Sequence, residues 1–133
     1  MDGEPLEGRD ARILVVDDET MVATILARYL SQMGYSCVTA QDGYEALEKL
    51  QTHTCALALC DIRMPGMDGI ELLKRIKEYD DEVAVIMVTA VDNREVAVQA
   101  MQAGAYDYVI KPFHLEEVLI SAQRALDNRR LLI

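Results

Sequence analysis

The fold is decided by residues 12–40, which read RILVVDDETMVATILARYLSQMGYSCVTA. A short, mainly apolar run, Arg12–Val16, is followed by a segment of helical periodicity, and a second short run, Ser36–Ala40, comes after Gly34. Apolar residues that recur at helical spacing predict an amphipathic helix, and a glycine directly after the helix is typical of its C-terminus. The residues expected to share one face of this helix are Met21, Val22, Ile25, Leu26, Tyr29, Leu30 and Met33.

The same alternation of short apolar runs and helical segments continues to the end of the chain. Further strands are predicted at Ala56–Cys60, Val83–Val88 and Asp107–Ile110. Several of the runs are almost wholly apolar, as parallel strands buried on both faces are. The pattern predicts an α/β protein with a (βα)5 order, in which right-handed crossovers place helices on both faces of one doubly wound parallel sheet.

Three of the later helices show a similar start, an Asp followed three residues later by a Glu, which resembles a capping box. The pairs are Asp42 with Glu45, Asp68 with Glu71, and Asp92 with Glu95. The fourth helix is expected at about Asn93 to Ala103, with a face of Val96, Ala97, Ala100, Met101 and Ala103. The last helix is expected from about Leu115 to Arg130, with an inward face of Leu115, Val118, Leu119, Ala122 and Leu126.

The chain has 133 residues, of which 51% are hydrophobic and 27% charged, as is usual for one soluble globular domain. We expect the domain to cover residues 11–128, after a flexible N-terminal tail at residues 1–10. Residues 129–133 would extend the last helix, and because their apolar pattern continues without a stop signal, we expect them to begin a linker to an output domain.

The charge of the chain restricts its partners. The net charge of −10 disfavours contact with nucleic acid or with an anionic membrane. No apolar run is long enough to span a bilayer, and the acidic N-terminus lacks the core of a signal peptide. The odd number of cysteines, Cys37, Cys55 and Cys60, favours reduced thiols, so a cytoplasmic location is expected.

Polar residues follow four of the five predicted strands. Asp17 and Asp18 follow the first strand, Asp61 the third, Thr89 the fourth and Lys111 the fifth. Since ligands bind beyond the carboxyl ends of the strands in an open α/β sheet, these groups are expected to converge on one edge. Each also has an ordinary structural explanation as a helix cap, a strand end or a solvated charge. The joint pattern favours a functional site.

The chemistry follows from this set of groups. Three neighbouring carboxylates repel one another and need a proton or a cation. Oxygen ligands without His or Cys favour a hard ion, and Mg²⁺ is the best candidate because it often joins carboxylates to a phosphoryl group. A carboxylate can act as the nucleophile in phosphoryl transfer, with cations around the phosphoryl oxygens.

The chain resembles the receiver domains of two-component response regulators from about Ala11 to Leu126, nearly its whole length. The matching motifs are Asp17-Asp18, Asp61, Met64-Pro65-Gly66-Met67-Asp68-Gly69, Thr89-Ala90, Gly104-Ala105-Tyr106-Asp107-Tyr108 and Lys111-Pro112. The resemblance implies a flavodoxin-like fold with strand order 2-1-3-4-5 and a cis bond before Pro112.

The resemblance also implies a role for each matching residue. Asp61 would be the phosphoacceptor, and Lys111 and Thr89 would bind the phosphoryl oxygens. Tyr108 would be the switch aromatic, turning inward as Thr89 moves toward the phosphoryl group. The implied Mg²⁺ ligands are Asp18 and Asp61 directly, Asp17 through water, and the backbone carbonyl of Arg63.

The implied function is a phosphorelay switch rather than an enzyme. A sensor histidine kinase or phosphotransfer protein would supply the phosphoryl group. The face made by the fourth helix, fifth strand and fifth helix would then act on an output domain or form a homodimer.

Two other functions fit the sequence less well than a phosphorelay switch. A phosphatase of the haloacid dehalogenase type needs a second Asp two residues after its nucleophile, where this chain has Arg63. A flavodoxin-like cofactor binder needs a loop that attracts phosphate, whereas Asp17-Asp18-Glu19 would repel it.

Overall fold

The computed structural model describes residues 12–131, with side chains to residue 128. The tail at residues 1–10, residues 132 and 133, and the side chains of the C-terminal extension lie outside the described part. In the described part, five strands alternate with five helices. The strands are β1 (Arg12–Val16), β2 (Ser36–Ala40), β3 (Leu57–Cys60), β4 (Ala84–Thr89) and β5 (Asp107–Ile110). The predicted strands are thus confirmed to within one residue at each end.

The strands form one parallel sheet in the order β2-β1-β3-β4-β5. The chain therefore reverses its direction of winding between β1 and β3, which are adjacent at the centre of the sheet. All residues of β3 are buried, as expected for a central strand covered on both faces. This arrangement confirms the predicted fold class and the strand order that the resemblance implied.

The helices are α1 (Thr20–Gln32), α2 (Gly43–Thr52), α3 (Gly69–Tyr79), α4 (Arg94–Gln102) and α5 (Leu115–Leu131). Alternate residues of each strand point to opposite faces, so the core is divided in two. On one face Ile13 and Val15 pack with buried residues of α1 and α5. On the other, Leu14 and Val16 pack with buried residues of α2, α3 and α4.

The helix starts follow the capping prediction at two sites and differ at a third. Asp42 accepts a hydrogen bond from the Glu45 N–H at 2.8 Å, and Asp68 accepts one from the Glu71 N–H at 2.9 Å. The prediction that Asp92 caps α4 is wrong. Asn93 is the cap, and its side chain accepts from the Val96 N–H at 3.1 Å. Both residue types are good caps, and the backbone of the preceding loop decides which one lies at the start of the helix.

The predicted apolar face of α1 is only partly buried. Leu26 and Leu30 are in the core, but Met21 is 74% exposed, and Ile25 and Met33 are also exposed. The apolar stripe is wider than the strip of helix surface that contacts the sheet, so the residues at its margin remain in solvent. The helix ends as predicted at Gly34, whose φ of 103° permits hydrogen bonds back to the carbonyls of the last turn.

Helix α4 is the most weakly anchored helix of the described chain. Among its residues only Ala100 is fully buried. Val96 is half-buried, whereas Met101, which was expected to face inward, is exposed. Few buried contacts make a structural element easier to displace, so α4 is the helix that should shift most readily.

Candidate functional site

The candidate site lies at the carboxyl edge of the sheet, where the ends of β1 and β3 are fixed by the sheet itself. The Asp17 N–H donates to the Ala40 carbonyl, and the Asp61 N–H donates to the Val16 carbonyl, both at 3.1 Å. These backbone bonds continue the ladders by one residue, so the two carboxylates start from neighbouring, rigid positions. Both side chains are almost fully buried.

Lys111, which directly follows β5, reaches across this edge to the two buried acids. Its Nζ atom lies 2.8 Å from Asp17 Oδ2 and 3.1 Å from Asp61 Oδ2. The backbone places it there, because the Lys111 N–H donates to the Thr89 carbonyl at 2.8 Å. The Lys111–Pro112 peptide bond is cis, as the resemblance implied.

One ammonium group shared by two buried carboxylates does not fully neutralise both. Burial raises the pKa of Asp17, and this effect exceeds the opposing hydrogen bonds from Lys111 and from the Glu19 N–H. Burial opposes the charge of Lys111, but its hydrogen bonds to Asp17 and Asp61 outweigh this and raise the pKa of Lys111. The site therefore carries an excess of negative charge that favours a further cation.

The third acid, Asp18, is exposed and completes a group of oxygen ligands. Carboxylate oxygens of Asp17, Asp18 and Asp61 all lie within 4.8 Å of one another. Beside them is an open cleft lined by Asp18, Ile62, Arg63, Met64, Pro65 and Asp68. Hard oxygen ligands with room for water match the preference of Mg²⁺, so the residues present fit this ion.

Neither acid of the Asp17-Asp18 pair caps α1, although a capping role was one interpretation of the sequence. The cap position is Glu19, and it makes no capping hydrogen bond through its side chain. Asp17 Oδ1 instead accepts from the Glu19 N–H at 2.9 Å, which orients the carboxylate for Lys111.

Thr89 and Tyr108 are connected through Val91 rather than directly. Thr89 is fully buried, and its Oγ1 accepts a hydrogen bond from the Val91 N–H at 3.2 Å. The Val91 carbonyl accepts from the Tyr108 hydroxyl at 2.6 Å. Tyr108 is half-buried and packs against the core on the α4 side, so its ring is already turned inward here. Burial, followed by the nearby charges of Asp92 and Asp61, raises its pKa.

Gly69, the first residue of α3, packs directly against the loop that follows Asp61. A Cβ atom at this position would clash with the Asp61 carbonyl oxygen and lie 2.7 Å from Ile62 Cα. The Gly69 N–H also donates to the Ile62 carbonyl at 2.8 Å. The site thus depends on a helix that only glycine allows to approach so closely.

The structure therefore brings together Asp17, Asp18, Asp61 and Lys111, with Thr89 and Tyr108 behind them on β4 and β5. Two participants were not singled out from the sequence. Glu19 Oε1 lies 3.6 Å from Lys111 Nζ, and its place beside the acid pair was the only sequence signal for it. Val91 has no such signal, because it takes part through its backbone.

Comparison with known proteins identifies the family. The profile of the response regulator receiver domain matches residues 13–123. The chain belongs to this family. Receiver domains are part of the response regulators of two-component signalling. The family that the sequence predicted is confirmed.

Individual relatives agree with this membership. The chain is 41% identical over 126 residues to the transcriptional regulatory protein ZraR of Klebsiella oxytoca, covering 95% of this chain and 28% of that protein. It is 42% identical over 116 residues to the DNA-binding transcriptional regulator NtrC of Escherichia coli strain K12, covering 87% of this chain and 25% of that protein. The chain thus spans about a quarter of the length of these curated relatives.

Solved structures show the same fold. The CheY-like receiver domain protein of Methanospirillum hungatei superposes with a TM-score of 0.89 at 32% identity, covering 92% of this chain and 98% of that one. The receiver domain of NtrX from Brucella abortus gives a TM-score of 0.82 at 38% identity, covering 86% and 98%. Within residues 12–131, no helix has the length and apolar character that crossing a membrane requires.

Proposed function

We propose that this receiver domain accepts a phosphoryl group on Asp61, with Mg²⁺ bound beside it, and thereby switches the face made by α4, β5 and α5. The observation that carries the proposal is the contact of Lys111 Nζ with both Asp17 and Asp61 in a buried acidic site. A buried carboxylate next to a lysine and two further acids has the components of phosphoryl transfer by positioning and charge stabilisation.

Each residue has a stated part in this transfer. An Asp61 oxygen bonds to the phosphorus while the bond from phosphorus to the donor nitrogen breaks, and the donor imidazole leaves with the bonding electrons and takes up a proton. Lys111 pairs with phosphoryl oxygens, and the Thr89 hydroxyl donates a hydrogen bond to one of them. Asp17, Asp18, Asp61 and the carbonyl of Arg63 would hold Mg²⁺, which supplies positive charge at the phosphoryl oxygens.

The domain is proposed to act as a phosphoacceptor and not as a phosphatase of the haloacid dehalogenase type. Such an enzyme needs a general acid two residues after the nucleophilic Asp. That position is Arg63, which has no carboxyl group to serve as the general acid. Arg63 lines the open cleft beside Asp18, and its side chain is exposed.

The switch would act through the link from Thr89 to Tyr108. When Thr89 turns its hydroxyl toward a phosphoryl group, it releases the Val91 N–H, and the Tyr108–Val91 hydrogen bond then fixes the new loop position. Helix α4 follows this loop and has little buried surface to resist a shift. The proposed face exposes Val98 and Met101 on α4 and Ile120 on α5, apolar side chains that suit contact with a homodimer partner or a covalently linked output domain.

The partners follow from the same chemistry. The phosphoryl donor would be a sensor histidine kinase or a phosphotransfer protein in the cytoplasm. The relatives include a DNA-binding transcriptional regulator about four times longer than the matched region. With its net charge of −10, this chain would leave contact with DNA to another domain.

The assignment of Asp61 is tested by incubation with acetyl phosphate and Mg²⁺ followed by mass measurement. Wild-type protein is expected to gain one base-labile phosphoryl group and Asp61→Asn none. Asp81→Asn removes the same charge at the opposite edge of the sheet and should be labelled like wild type. Equal labelling of wild type and Asp61→Asn would refute the proposal.

The switch is tested with beryllofluoride, a mimic of the phosphoryl group. Amide exchange and sedimentation are compared with and without it, in wild type and in Thr89→Ala. Wild type should change its protection at residues 93–110 or its association state, and Thr89→Ala should change less. Binding of the mimic without either change in wild type would contradict the switch in this chain.

A further inference from the structure

The loop between Asp61 and α3 is contacted on its outer side by the first turn of α2. The ring of Tyr44 lies over Gly66, where a Cβ atom would be 3.1 Å from Tyr44 Cε2. One residue earlier in α2, Gly43 packs on Met67, whose sulfur would lie 2.6 Å from a Cβ at that position. In each contact a glycine of one segment lies against a side chain of the other, so the two segments pack closely.

The inner side of the same loop is held by α3. Gly69 packs against the Asp61 carbonyl and bonds the Ile62 carbonyl, as described above. Asp68 caps α3 through the Glu71 N–H at 2.9 Å. These contacts fix the two ends of the loop. In the middle of the loop, Met64 is buried in the core and Gly66 lies against the Tyr44 ring.

The exposure of Tyr44 argues against a role in the core. Its side chain is 61% exposed and belongs to neither buried cluster of the described residues. An exposed tyrosine adds little to folding, yet this one rests on Gly66, whose φ of 84° is a conformation that glycine adopts readily. Gly66 is three residues from Arg63, whose carbonyl is a proposed Mg²⁺ ligand.

We propose that Tyr44 is a positioning residue for the cation-binding loop. Its ring would keep the segment from Arg63 to Gly66 in the conformation that presents the Arg63 carbonyl to the cation. This inference rests on the proposed binding of Mg²⁺. By linkage, Mg²⁺ binding and the order of the first turn of α2 stabilise each other.

The test measures Mg²⁺ affinity by calorimetry in wild type, Tyr44→Ala, Tyr44→Phe and Tyr79→Ala. We expect Tyr44→Ala to bind Mg²⁺ roughly tenfold more weakly, the size of effect seen when a residue that orients a ligand is removed. Tyr44→Phe keeps the ring and should bind like wild type. Tyr79, also exposed and 53% accessible, lies at the far end of α3, so Tyr79→Ala is the matched control.

A second measurement needs no metal. Amide exchange at residues 63–67 of the metal-free protein should be faster in Tyr44→Ala than in wild type and unchanged in Tyr79→Ala. Equal Mg²⁺ affinity and equal exchange in wild type and Tyr44→Ala would overturn the role of Tyr44 alone. Absence of Mg²⁺ binding in wild type would instead overturn the proposed function.

Discussion

Lys111 Nζ lies 2.8 Å from Asp17 Oδ2, a contact between residues 94 positions apart in the chain. The same ammonium group contacts Asp61, so one positive charge is shared by two buried carboxylates. Because the proposed Mg²⁺ would bind the same two carboxylates, Lys111 and the cation are expected to compete for them.

Replacing Lys111 should destabilise the metal-free protein and strengthen metal binding. Lys111→Ala leaves buried acids without their partner, which costs about 3 kcal/mol in the free energy of unfolding. Because the lysine no longer competes, Mg²⁺ should bind more tightly and restore part of the loss. Urea unfolding with and without Mg²⁺ measures both effects. If Lys111→Ala lost the same free energy of unfolding with and without Mg²⁺, the lysine and the metal would not share ligands.

Asp17→Asn should stabilise the metal-free protein at neutral pH. Burial raises the pKa of Asp17 above its ordinary value of 3.8, so folding favours the protonated form. The stability linked to that proton is fully present below the ordinary value and is lost as pH rises through the raised pKa. Asparagine stays neutral at every pH. The stability gain of Asp17→Asn over wild type should therefore appear above the raised pKa of Asp17 and vanish below its ordinary value. Urea unfolding of both proteins over a series of pH values measures this difference. A difference in the free energy of unfolding that does not change with pH would contradict the prediction.

Asp18→Asn should weaken Mg²⁺ binding by roughly tenfold or more, because a small hard ion depends on each carboxylate ligand. The side chain is exposed, so the fold should be unaffected. Calorimetric titration gives the affinity, with Asp81→Asn as a variant of equal charge at the opposite edge of the sheet. Undiminished affinity in Asp18→Asn would place the metal elsewhere.

Gly69→Ala should be far more harmful than Gly34→Ala. At Gly69 the new Cβ would meet the backbone of Asp61 and Ile62, and the clash should cost about 3 kcal/mol. At Gly34 the new Cβ would have no atom within 4 Å outside the adjacent residues. Only the positive φ is penalised there, by about 1 kcal/mol. Urea unfolding compares the two. Similar losses would mean that the loop after Asp61 can move away from α3.

Tyr108→Phe should loosen the loop between β4 and α4. The variant removes the 2.6 Å hydrogen bond to the Val91 carbonyl, at a cost of about 1 kcal/mol, and leaves the ring in place. Amide exchange should quicken at residues 90–102, since α4 has little other anchorage. Tyr106→Phe, on the same segment, is the comparison variant. Unchanged exchange in Tyr108→Phe would show that this bond does not hold α4.

The sequence by itself determined the fold class, the strand bounds and the set of polar residues at the strand ends. These properties are local, because an apolar run of strand length or a helical period is complete within one segment. Asp17, Asp18, Asp61, Thr89 and Lys111 were found because each lies at or just after the end of a strand, and parallel strands carry their ends to one edge.

Tertiary structure alone decided which of these groups touch and which residues assist them. Lys111 pairs with Asp17 and Asp61 and not with Asp18, because the distances among strand ends depend on sheet order and twist. The exposure of Met21 on α1 depends on how much of that helix the sheet covers. Val91 contributes backbone atoms, and Tyr44 reaches Gly66 only through packing of separate segments. Such contacts leave no periodic trace in the sequence, so only the folded chain reveals them.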